Sequence, residues 1–75
     1  MQFDPSYKPR RDGLPEMIAA KMDSIFYARR AAGLNVQFVR ESDGQLDEWS
    51  LADTERRDAF TASLQRQGIA FAISH

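Results

Sequence analysis

The sequence predicts a small α+β domain of order α-β-β-α-β, in which a three-stranded antiparallel sheet in spatial order 2-1-3 carries two helices on one face. Three observations predict it. Apolar residues change from helical to alternating spacing at Gly33, an Asp43-Gly44 pair separates two strand-like runs, and a capped helical segment separates the second such run from a third.

Helix 1 is expected from about Pro15 to Ala32. Proline suits the first helical position, Glu16 complements the positive helix end, and Gly33 supplies the stop. Ile18, Met22, Ile25 and Phe26, with Leu14 before them, share one face at core-facing spacing. That stripe is expected to pack on the sheet.

From Leu34 to Glu41 the period becomes two, with Leu34, Val36 and Phe38 on one side and Asn35, Gln37 and Val39 on the other. Asp43-Gly44 then predicts a two-residue type I′ hairpin, which requires positive φ at both positions. In that register Arg40 faces Asp47, Phe38 faces Trp49 and Val36 faces Leu51. Each pairing is chemically sensible. Trp49 is therefore expected in the core, where its truncation would cost about 3–5 kcal/mol.

Helix 2 follows, with Ser50 and Asp53 as candidate caps, a thin stripe of Phe60 and Leu64, and Gly68 as its stop. Ile69 to Ile73 alternates large and small apolar residues and reads as the third strand. A right-handed connection from strand 2 to strand 3, with strand 1 between them, makes every neighbour antiparallel. Both helices are then expected over the face bearing Leu34, Val36, Phe38, Trp49, Leu51, Ile69, Phe71 and Ile73.

Residues 1–13 contain Pro5, Pro9 and Gly13 without a period and read as an irregular arm, leaving 14–75 as the single domain. A chain of 75 residues buries only about 60% of its unfolded surface, so its stability is expected to be marginal. At 43% hydrophobic and 28% charged it is too rich in core formers for a disordered tail. No stretch approaches the roughly 20 apolar residues of a membrane span, and no signal-peptide core is visible, so a cytoplasmic location is expected.

Catalysis finds little support in this composition. There is no cysteine, the one histidine is the terminal His75, the serines lie outside any elbow motif, and the glycines stand singly. No catalytic residue, metal ligand set or cofactor is expected.

Binding is the remaining class. Between Glu41 and Asp58 two arginines stand against seven carboxylates, so the hairpin should form an acidic edge that includes Glu41, Asp43, Asp47 and Glu48. On helix 1, away from the proposed core stripe, Met17, Ala20, Ser24, Tyr27 and Ala31 recur at spacings that let another helix approach. These two surfaces predict a non-enzymatic protein-interaction or regulatory module that pairs as a homodimer or keeps the helix face for another protein. Size and composition fit an accessory factor or structural subunit, including an inhibitor of host machinery encoded by a phage or mobile element. The alternative is a nucleic-acid accessory factor using Lys8, Arg10, Arg11, Arg29 and Arg30, although a formal net charge of −1 offers phosphate no overall attraction.

Overall fold

A computed structural model describes residues Met1–His75. The elements run α1 (Glu16–Ala31), β1 (Asn35–Val39), β2 (Leu46–Ser50), α2 (Thr54–Arg66) and β3 (Phe71–Ile73). The sheet is antiparallel throughout, in order β2-β1-β3, so fold class and strand order are those expected.

The helix ends follow local chemistry. Pro15 precedes α1 with no side-chain cap, and Gly33 turns the chain out of it at a φ of 76°. For α2 the cap is Asp53, whose carboxylate accepts the Arg56 amide at 2.8 Å and also pairs with the Arg56 guanidinium. That amide, followed by the charge of Arg56, holds the Asp53 carboxyl below its ordinary range. Ser50, the other candidate cap, lies within β2 instead.

The hairpin differs from the expected one by two residues. Only Gly44 of the pair has positive φ, so a type I′ turn is excluded. Residues 41–44 form a four-residue loop instead, closed by bonds from the Arg40 amide to the Gln45 carbonyl (2.9 Å) and from the Gly44 amide to the Arg40 carbonyl (2.8 Å). The Asp43 carboxylate stabilises it by accepting from the Gln45 amide and the Arg40 guanidinium. Phe38 therefore faces Asp47 and Val36 faces Trp49. A shift of two preserves which face each side chain occupies, so Phe38 and Trp49 still share a face and meet edge-to-face at 5.5 Å.

A second correction concerns the helices, which cover opposite faces of the sheet. Val36 and Phe38 point toward α2, where they form the core with Leu64, joined by Leu51, Phe60, Ile69, Phe71 and Ile73. Asn35 and Gln37 point the other way and are buried with Glu48 beneath α1 and the arm. The expected apolar stripe of α1 has no apolar sheet face to meet, because the face bearing Asn35, Gln37 and Glu48 is polar.

Trp49 also departs from expectation. Its ring stacks on Phe60 at 4.9 Å, but it caps the outer end of the core and remains 51% exposed. Removing it should therefore cost well under the value for a buried aromatic.

Candidate interaction surface

Beneath α1 lies a buried polar cluster centred on Glu48, whose side chain is 0% exposed. Its carboxylate accepts two bonds from Arg30 (2.7 and 2.9 Å), one from Asn35 (2.7 Å) and one from Gln37 (2.9 Å). The bond to Glu48 raises the pKa of Arg30 above its ordinary value. Arg30 also donates to the carbonyls of Pro5 and Tyr7, and its guanidinium lies over Phe3, Phe26 and Tyr27. Asn35 additionally donates to the Phe26 carbonyl, fixing α1 to the sheet. Asn35 Oδ1 and Ser50 Oγ, on cross-strand partners of this face, are buried without a hydrogen-bond partner.

The same cluster fastens the arm. Gln37 exchanges two bonds with the Asp4 backbone, at 2.7 and 2.6 Å, as a neighbouring strand would. Farther along, the Tyr7 hydroxyl donates to Asp47 at 3.1 Å, and burial followed by that carboxylate pushes the Tyr7 pKa up. Residues 1–13 contain no helix or strand, yet they lie over the polar face and reach β2 through Tyr7.

These contacts determine which predicted surface residues are available. Glu48 is internal and Asp43 is engaged in its own turn. Asp47 accepts from Tyr7 and from the Trp49 indole, so of the expected acidic edge only Glu41 has no ion pair or side-chain bond. On α1 the residues Met17, Ala20, Ser24, Tyr27 and Ala31 are all exposed, Met17 at 86%. Among the basic residues Arg30 is committed to Glu48, Arg10 and Arg11 pair with Asp12 and Asp23, and Lys8 and Arg29 have no ion pair.

Sequence reasoning placed the most prominent surface in the core. Leu14, Ile18, Met22 and Ile25 are 41%, 49%, 41% and 44% exposed and form a ridge along α1. Only Phe26 of that stripe is buried, because the sheet-facing side of α1 is Ala19, Asp23, Phe26 and Arg30, about a quarter-turn away. The available signal was the pair of charges, Asp23 and Arg30, at helical spacing with Phe26. They bond to Arg11 and Glu48 respectively.

At its inner end the ridge opens into a groove of about 520 Å³ between α1, the arm and the β2 edge. Met22, Ile25 and Phe26 line one wall and Trp49 the far wall, while Arg10, Arg11, Arg29 and Arg40 also line it. No helix is long and apolar enough to cross a membrane, so the ridge is not part of a membrane-spanning helix. Neither family models, curated proteins nor solved structures provide a match to this chain.

Proposed function

We propose that this protein is a non-enzymatic interaction module that docks on another protein through the α1 ridge and the adjoining groove. One observation carries the reading. Leu14, Ile18, Met22 and Ile25 form a continuous apolar strip in the open, with Trp49 exposed across the groove. Contiguous apolar surface of this kind is costly to leave in water and marks sites of association. Aromatic and methionine side chains beside arginine also match the composition of interface centres.

The reading moves the expected docking site from the acidic hairpin edge and the Met17 to Ala31 face of α1 to the opposite flank of that helix. It keeps the regulatory or accessory role as the functional class and leaves the small-residue face of Met17, Ala20 and Tyr27 as a second, shallower surface. A nucleic-acid role draws on one specific feature, that Arg10, Arg11 and Arg29 line the same groove as Trp49, a combination used on single strands. The loss of Arg30 to Glu48 and the apolar wall of Met22 and Ile25 weigh against it.

Capture by the immobilised protein, compared with an Ile18→Ser, Met22→Ser, Ile25→Ser variant and an Arg66→Ser control on α2, tests the reading. A partner held by wild type and control and lost by the ridge variant is the expected result. Identical capture by all three would remove the ridge from function. Salt-dependent binding of single-stranded oligonucleotides, abolished by changing Arg10, Arg11 and Arg29 together, would favour the second reading.

A further inference from the structure

The geometry points to an acidic amphipathic helix as the occupant of the α1 ridge, a conclusion that rests on the docking role proposed above. Shape comes from the ridge itself. Its helical part, from Glu16 to Arg29, extends about 20 Å at roughly 1.5 Å per residue, and the apolar side chains, Leu14 just before the helix included, stand three or four residues apart. A helix laid along such a row presents its own apolar stripe at matching intervals, whereas a flat surface would meet only the crest.

Charge supplies the sign. Lys21 and Arg29 sit one turn to either side of Ile25, and neither forms a salt bridge, nor does Lys8 in the arm. Arg10, Arg11 and Arg40 line the adjoining groove, each paired on one side with an aspartate but with donors to spare, since a guanidinium carries five. The carboxylates that line the groove are already engaged, Glu48 by Arg30 and Asp47 by Tyr7, Trp49 and Arg40. A partner with glutamates or aspartates flanking an apolar seam meets cations along the whole ridge. A second copy of this chain does not, because pairing α1 on α1 lays Lys21 and Arg29 of both copies along one seam.

Trp49 is the sole tryptophan and lines the groove, so its fluorescence reports occupancy. The probes are three helical peptides of about 15 residues, long enough to span the ridge at roughly 1.5 Å per residue, sharing a leucine seam and flanked by glutamate, glutamine or lysine. The glutamate peptide should bind about tenfold tighter than the lysine peptide, with an advantage that shrinks as salt is added. In a Lys21→Glu, Arg29→Glu variant with unchanged circular dichroism, that preference should invert.

Equal affinity for the three peptides would overturn the acidic partner while leaving apolar docking intact. If none of them changes Trp49 emission, the helical occupant is wrong. Oligothymidine binding in their place, or a dimer in sedimentation that the ridge serines dissolve, would replace it with nucleic acid or a second copy. Failure of the docking role itself is read separately, from ridge-variant capture identical to wild type.

Discussion

The two helices attach to the sheet by opposite means, and the more apolar of them is the less buried. In α2 nearly every surface position is polar, yet Phe60 and Leu64 both enter the core with Val36 and Phe38. Along α1 lie Met17, Ile18, Met22, Ile25, Phe26 and Tyr27, of which only Phe26 is buried. What secures α1 is polar: Arg30 on Glu48, the Phe26 carbonyl on Asn35, and Asp23 on Arg11. A helix fastened by hydrogen bonds is free to present its apolar residues to something else, and that freedom is the structural basis of the proposed function.

The largest effect should come from breaking the polar attachment. Glu48→Ala removes the carboxylate that Arg30, Asn35 and Gln37 share, leaving Arg30 without its countercharge and each of the three with only carbonyl acceptors in a buried region. The cost should be about 3–5 kcal/mol, enough to unfold much of so small a domain. Leu64→Ala attacks the other helix through a cavity and should cost about 2–5 kcal/mol. Urea titration of both variants compares the attachments directly. A Glu48→Ala protein as stable as wild type would mean that α1 is held by something other than its polar cluster.

A smaller effect is expected at Gln37. Replacing it with alanine removes both bonds to the Asp4 backbone and one donor to Glu48, at about 1–3 kcal/mol. The loss should fall mainly on the arm, seen as faster amide exchange at Asp4 with the β1 and β3 amides unchanged. Exchange that rises equally in arm and sheet would show that the arm is integral to the fold.

Trp49→Ala should cost less again, about 1–2 kcal/mol, because half of the ring is already in water. A thermal melt distinguishes this from the collapse that a core tryptophan would cause.

Much of the fold could be read from the chain because its signals were local. Gly33 and Gly68 ended the helices, Asp53 capped α2, and period-two alternation marked β1, all without reference to distant residues. The strand order followed from the handedness of a single connection. The hairpin misled because Asp43-Gly44 suits more than one turn, and the capping of Gln45 by the Asp43 carboxylate favours a longer loop than the dipeptide suggests. The placement of α1 was hidden for a different reason. Alternation shows that a strand has two faces but does not say whether the polar one meets solvent or a helix. Asn35, Gln37 and Glu48 read individually as surface residues and become an interior only together with Arg30 and the arm. For the same reason the apolar stripe of α1 looked like core, although all of it but Phe26 is more than two-fifths exposed.

The central claim is that this stripe serves association and contributes nothing to folding, and a thermal melt of the Ile18→Ser, Met22→Ser, Ile25→Ser protein tests it most directly. Each side chain is more than two-fifths exposed, so each change should cost no more than about 0.5 kcal/mol. Native circular dichroism and a melting temperature lowered by no more than about 12 °C, the shift that about 1.5 kcal/mol in total produces in so small a domain, are predicted, whereas a protein that loses its cooperative transition would place the ridge in the core and contradict the account.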